Sequence, residues 1–141
     1  LEASSAASDV YKRQVNGVTT QGPDHEIIKK AGEIYKDKNK LTITNDINIA
    51  VEGANVLYTD VWSSMGEESK KAKKEKDFDG FTIDSKLISK ANNDVIVLHC
   101  LPAYRGKEIT DEVIESSSSR VFEQAENRLH AQQALLSCML S

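Results

Sequence analysis

The run Val95-Ile96-Val97-Leu98 passes directly into His99-Cys100-Leu101-Pro102, and no other feature constrains the fold as strongly. Four apolar residues between polar stretches predict a buried strand, of the kind that parallel sheets use. Pro102 cannot donate to a ladder, so pairing ends before it. In open α/β sheets, ligands collect just beyond the carboxyl ends of the strands. A thiol, an imidazole and a proline at such an exit are candidate parts of a site. A second exit has the same character. Val56-Leu57-Tyr58 predicts a short strand that releases into Thr59-Asp60-Val61-Trp62-Ser63-Ser64-Met65-Gly66, which offers a carboxylate and several hydroxyls. Two exits of one character point to a shared crevice.

The rest of the chain alternates between the same two element types. Asp24 to Lys36 carries Ile27, Ile28, Ala31 and Ile34 on one helical face. Leu41 to Thr44 predicts a strand, and Asp46 to Glu52 a short helix capped by Asn45 or Thr44. Helices are predicted from Glu67 to Lys76, from Ser85 to Ala91 and near Asp111 to Glu115, with an extended piece at Phe81-Thr82-Ile83. Arg120-Val121-Phe122 predicts a brief strand, and Glu123 to Leu140 a final helix. Ala131, Ala134, Leu135, Cys138 and Met139 recur at helical spacing, which predicts a packing face with Cys138 inside it. Strands alternating with helices imply βαβ units and a mostly parallel sheet covered on both faces. The expected class is α/β, as an incomplete three-layer domain.

Leu1 to Gln14 stands apart from this pattern. It is rich in Ser and Ala, has no apolar core and lacks the apolar stretch of a secretory signal. It resembles translated adaptor or vector sequence, with a disordered natural tail as the alternative. The domain is therefore expected to occupy residues 15–141, with 1–14 as a leader outside the fold. The 141 residues suit one domain or part of one. A net charge of -4 argues against a nucleic-acid partner. No apolar stretch is long enough to cross a bilayer. Two cysteines, Cys100 and Cys138, give neither a disulfide framework nor a zinc spacing, so a reduced, cytoplasmic setting without a metal is expected.

Each chemical candidate has a plainer alternative. Asp60 at a strand exit can read an amino group, or simply close a turn. Ser64 and Glu67 have capping-box spacing, while Ser64-Met65-Gly66 also fits a loop that clasps a ligand. Cys100 can be a small buried hydrophobe. His99 can be a satisfied, half-buried ring. A cis bond before Pro102 would re-aim the Leu101 carbonyl. Arg128, expected in the first turns of the last helix, opposes the helix dipole there. That suggests a compensating anion such as phosphate, or pairing with Glu123 or Glu126. The lysine-rich run Lys70 to Lys76 reads as a solvated helix face.

Three segments together resemble the C-terminal half of the ornithine carbamoyltransferase family: Tyr58 to Gly66, His99-Cys100-Leu101-Pro102, and Phe122-Glu123-Gln124-Ala125-Glu126-Asn127-Arg128. They occur in the family's order, and the similarity runs from about Val15 to the end. The resemblance implies the ornithine-binding domain of the aspartate/ornithine carbamoyltransferase fold. It implies transfer of a carbamoyl group from carbamoyl phosphate to the side-chain amine of L-ornithine, giving citrulline and phosphate, with no cofactor. By resemblance, Asp60 holds the α-amino group, and Ser64 and Met65 clasp the amino-acid end. Cys100 positions the attacking amine with Asp60. The Leu101 carbonyl accepts from the carbamoyl NH2, Arg128 pairs with carbamoyl phosphate, and His99 and Pro102 support the motif. The family form implied is a trimer-based homo-oligomer.

Departures from the family pattern limit what this chain does alone. The family's carbamoyl-phosphate half, with its Ser-Thr-Arg-Thr loop and His-Pro-x-Gln segment, has no counterpart here, so the chain alone is expected to be inactive. The opening strand of the second domain, with an ornithine-binding Asn, also has none. Many relatives carry a basic residue after Leu101-Pro102, where this chain has Ala103; Arg105 is a candidate replacement. Rival readings are a carbamoyltransferase for another amine and a nucleotide-binding α/β module. Against the first, aspartate carbamoyltransferases show His-Pro-Leu-Pro at the motif, and putrescine transferases lack the Ser-Met-Gly clasp. Acylated-ornithine relatives carry a proline-rich loop, whereas this chain has two prolines. Against the second, no glycine fingerprint is present. A non-catalytic interaction domain would not call for Asp60, Ser64, Cys100 and Arg128 together.

Overall fold

A computed structural model describes residues 2–5, 11–15, 24–34, 41–63 and 71–140. Its hydrophobic core is built on the parallel pair β4 (Val56–Thr59) and β5 (Ile96–His99), with Leu57 opposite Val97 and Thr59 opposite His99. Side chains alternate between the two faces of a strand. Leu57 and Thr59 on β4, and Val97 and His99 on β5, are buried, while Tyr58 and Leu98 look to the other face. The buried face packs on Val51, Ala54, Ile83, Leu87, Ile109, Val113 and Ile114. Burying a side chain of this kind contributes about 1.5–3 kcal/mol.

The sheet continues through β1 (Glu2–Ser5), β2 (Tyr11–Val15) and β3 (Leu41–Thr44), in the order β3-β2-β1-β4-β5. β2 with β3 and β4 with β5 are parallel, and β1 runs antiparallel to both of its neighbours. Here the structure differs from the expected separate leader: Glu2–Ser5 and most of Tyr11–Val15 fall within residues 1–14, yet they pair with the sheet. Strand pairing is made by the main chain, so a Ser- and Ala-rich segment without an apolar core can still supply it.

The helices are short except for the last. α1 (His25–Ile34) leaves Ile27 and Ile34 largely exposed. α2 (Ile47–Val51) is capped by Asp46, whose carboxylate accepts from the Asn48 amide at 2.9 Å; the expected caps, Asn45 and Thr44, do not take that role. α3 is described over Lys71–Asp77, and the expected start of that helix, Glu67 to Lys70, lies outside the described residues. Phe78 stacks on Trp62 at 6.1 Å, which ties the end of α3 to the β4 exit. α4 (Ser85–Ile88) and α5 (Asp111–Ile114) are capped by Asp84 and Thr110. Ile83 forms a bridge with Ile109 where a short extended piece was expected.

α6 (Val121–Leu140) starts two residues earlier than predicted, so the expected brief strand over Arg120 to Phe122 does not form. Instead the main chain just before the helix pairs with β5. The Val97 amide donates to the Ser118 carbonyl at 2.8 Å, and the Arg120 amide donates to the Val97 carbonyl at 2.9 Å. That pairing docks the start of α6 beside β5. The expected packing face of α6 is uncovered: Leu135 is 60% exposed and Met139 72%, and Cys138 is exposed as well. Among the described residues no helix is long and apolar enough to cross a membrane.

Candidate active site at the paired strand exits

Because β4 and β5 are parallel and in register at Thr59 and His99, the residues that follow them emerge side by side. Asp60 and Cys100 are those residues. The Cys100 Sγ donates to Asp60 Oδ1 at 2.9 Å, and the same oxygen accepts from the Val61 amide at 2.7 Å. Asp60 is exposed and Cys100 half-buried, so the pair opens to solvent. Burial, chiefly, and then the hydrogen bond and charge of Asp60, push the Cys100 thiol above its ordinary pKa. A hydrogen bond with Tyr58 pulls the other way. At neutral pH Cys100 is therefore a thiol, a donor toward the carboxylate rather than a thiolate nucleophile.

One residue earlier, the alternation reverses direction, and His99 points into the core. Its Nε2 lies 3.2 Å from Glu108 Oε1, and its Nδ1 accepts from the Leu101 amide at 2.8 Å. Leu101 sits at φ +55°, a left-handed conformation that costs an L residue about 1–2 kcal/mol, and the Leu101-Pro102 bond is cis. The Glu108 Oε1 also accepts from the Tyr104 amide at 2.5 Å. The tight turn thus rests on a buried histidine and a buried glutamate.

α6 supplies the third side. Gln124 Oε1 accepts from the His99 amide at 3.0 Å, and Gln124 Nε2 donates to the Tyr58 hydroxyl at 3.3 Å, so one side chain bridges both strands. Arg128 lies one turn further on, and its NH1 donates to the Cys100 carbonyl at 3.4 Å. Arg128 is the eighth residue of α6, beyond the first turn where the dipole is felt. The expected clash with the helix dipole therefore does not arise, and the arginine reaches the site by its position on the helix face. No ion pair joins it to Glu123 or Glu126 among the described residues.

Of the residues singled out in the sequence, Asp60, Cys100, Leu101, Pro102, His99 and Arg128 converge on one place. Ser64 and Met65 lie outside the described residues. Ala103 packs against the core cluster. Arg105 does not serve the site, since its guanidinium pairs with Asp111 at 2.8 Å and Glu115 at 2.7 Å. Sequence reasoning gave no role to Glu108, Gln124 or Tyr58. Gln124 fell inside a quoted segment, and Tyr58 ended a predicted strand. Glu108 carried no local signal. Among the described residues no cluster of three His, Cys, Asp or Glu side chains is placed to hold a metal ion.

Comparison with known proteins gives the family. Residues 4–139 match the family described as aspartate/ornithine carbamoyltransferase, Asp/Orn binding domain. An ornithine carbamoyltransferase of Prochlorococcus marinus is 68% identical over 118 residues, 84% of this chain and 38% of that protein. A catabolic ornithine carbamoyltransferase of Thermoplasma acidophilum is 47% identical across 100% of this chain and 46% of its own length. The crystal structure of ornithine carbamoyltransferase from Gloeobacter violaceus superposes with a TM-score of 0.77 at 38% identity, covering 92% of this chain and 42% of that one. The chain thus spans less than half the length of these relatives. With the domain match covering residues 4–139 and identities of up to 68%, the chain belongs to the aspartate/ornithine carbamoyltransferase family and carries that family's Asp/Orn binding domain.

Proposed function

We propose that this chain is the acceptor-binding part of an ornithine carbamoyltransferase. The observation that carries the reading is the Asp60–Cys100 contact at 2.9 Å, made at two neighbouring strand exits with the Arg128 guanidinium on the same turn. Asp60 holds the α-amino group of ornithine, and Ser64 and Met65 close over its amino-acid end. Cys100, with Asp60, positions the side-chain amine. That amine must be neutral to attack, and a lysine-like amine is mostly charged at pH 7. A neighbouring carboxylate favours the charged form, so the thiol and carboxylate act by placement first.

In the reaction the amine nitrogen bonds to the carbamoyl carbon, the bond from that carbon to the phosphate oxygen breaks, and the amine gives up a proton. The Leu101 carbonyl accepts from the carbamoyl NH2, which orients the carbon toward the amine. Arg128 pairs with the phosphate, for which its planar fork is suited. No cofactor takes part. The other substrate-binding elements come from the half of the relatives that this sequence does not span, so the chain alone is inactive. The complete enzyme works in the cytoplasm as a trimer-based homo-oligomer.

The test is a chimera that carries this chain behind the N-terminal half of a related ornithine carbamoyltransferase. Citrulline formation from ornithine and carbamoyl phosphate, with putrescine and aspartate as rival acceptors, is the readout. Transfer to ornithine that is lost in Asp60→Ala and in Cys100→Ala supports the reading. A folded chimera that prefers another amine, or transfers to none, overturns it.

A further inference from the structure

We infer that Glu108 is a positioning residue of this site: through His99 it holds the Cys100–Leu101 turn in the conformation that presents the Leu101 carbonyl. The inference rests on the proposed reading only in assigning that carbonyl to the carbamoyl group. The geometry itself is independent of any substrate.

An amide N–H can only donate. The Leu101 amide meets His99 Nδ1 at 2.8 Å, so Nδ1 presents its lone pair. In the neutral ring the proton then sits on Nε2, which faces Glu108 Oε1 at 3.2 Å. The carboxylate therefore selects the tautomer, and the tautomer creates the acceptor for Leu101. Both side chains are buried, His99 at 1% and Glu108 at 0% exposure, so water does not compete for these bonds. The hydrogen bond to Nδ1 offsets the cost of a left-handed leucine at φ +55°. This arrangement also excludes His99 as a base for the neighbouring thiol: one ring nitrogen is taken by Leu101 and the other by Glu108. The Cys100 thiol donates instead to Asp60.

Glu108 uses one oxygen for all of this. Oε1 takes both the His99 ring and the Tyr104 amide, whereas Oε2 is buried with no protein partner among the described residues. A glutamine at 108 keeps the Oε1 acceptor and puts its NH2 where Oε2 now stands, opposing no donor. The negative charge is therefore not what the site needs from Glu108. The acceptor is.

The test uses the full chain, labelled with 15N and carrying Cys138→Ser so that Cys100 is the one reactive thiol. The through-hydrogen-bond correlation between the Leu101 amide nitrogen and His99 Nδ1 reports the turn, and the His99 15N shifts report the tautomer. The rate of Cys100 alkylation reports the consequence. The expected results are a correlation and an Nε2–H tautomer in the parent, both kept in Glu108→Gln with an alkylation rate within about twofold. Glu108→Ala is expected to lose the correlation, mix the tautomers and change the rate by about fivefold or more. Glu108→Leu, which fills the buried volume without an acceptor, replaces the alanine variant if that variant does not fold. Loss of the correlation in a folded Glu108→Gln, or its persistence in a folded Glu108→Ala or Glu108→Leu, overturns the proposal. Because no substrate is present, these results stand or fall separately from the acceptor assay on the chimera.

Discussion

The two strand exits are neighbours in register yet are built in opposite ways. The β5 exit is closed: His99 and Glu108 are buried, and Gln124, Leu101 and Tyr104 are all tied into one hydrogen-bonded unit. The β4 exit is open: Asp60 is exposed, and its carboxylate accepts from the Val61 amide and the Cys100 thiol. Both strands end on a core-facing residue, so the difference lies in what stands there and just after it, a histidine on β5 and a threonine followed by an aspartate on β4. β5 ends on a core-facing position and must satisfy a buried imidazole. β4 ends on core-facing Thr59, so its carboxylate falls one residue later, in solvent. A rigid turn beside an accessible carboxylate is what a site needs when one partner is held in place by the protein and the other is the ligand's to contact.

This contrast predicts that the same kind of substitution acts on stability at one exit and on chemistry at the other. The largest stability effect is expected for His99→Ala, which takes one of two partners from the buried Glu108 carboxylate, leaves the Leu101 amide unpaired and opens a cavity. A loss of about 3 kcal/mol or more is expected, read as a shift in the denaturant midpoint. Asp60→Ala is expected to change stability by no more than about 0.5 kcal/mol, since it removes an exposed group. In the chimera, however, it should lower citrulline formation about 100-fold, a cost of about 2.7 kcal/mol in transition-state stabilisation. If Asp60→Ala destabilised as much as His99→Ala, the contrast would fail.

Smaller effects sharpen the picture. Asp84→Ala removes the cap of α4, where the carboxylate accepts from the Leu87 amide at 2.7 Å. It should cost about 1 kcal/mol by thermal denaturation and leave Cys100 reactivity unchanged. The thiol offers a finer probe. Its pKa is raised by burial first and by Asp60 second, so Asp60→Ala should move the pH profile of Cys100 alkylation downward. Burial persists in that variant, so the profile should not fall all the way to that of a free thiol. Tyr58→Phe removes a contribution of opposite sign and should move the profile upward by a smaller amount. Opposite shifts in the two variants are the expected signature, measured by the rate of alkylation between about pH 7 and 10.

What was legible in the sequence was what depends on near neighbours. A four-residue apolar run followed by a proline marks a strand and its end whatever the rest of the chain does, and β5 appears where that run predicted it. Asp60 and Cys100 were legible for the same reason, as the first residues past their strands. Glu108 was not, because it acts by folding back nine residues onto His99, and no period or motif announces such a return. Gln124 was visible as part of a segment, but its role depends on Ser118 and Arg120 pairing with β5, a contact between distant residues. Periodicity also misled at α6. It marks an apolar face correctly but does not say whether anything covers that face. The argument for Arg128 from the helix dipole placed the residue too near the helix start, and a shift of two residues in that boundary removed its premise.

The central claim is that Asp60 and Cys100 form one site that receives ornithine. Its most direct test is protection of Cys100 in the chimera. Alkylation of the thiol is followed with a carbamoyl-phosphate analogue present, with and without ornithine, and with putrescine or aspartate in its place. The account predicts that ornithine slows Cys100 alkylation about tenfold or more, that putrescine and aspartate do not, and that the protection vanishes in Asp60→Ala. Equal alkylation with and without ornithine, in a chimera that otherwise makes citrulline, would contradict it.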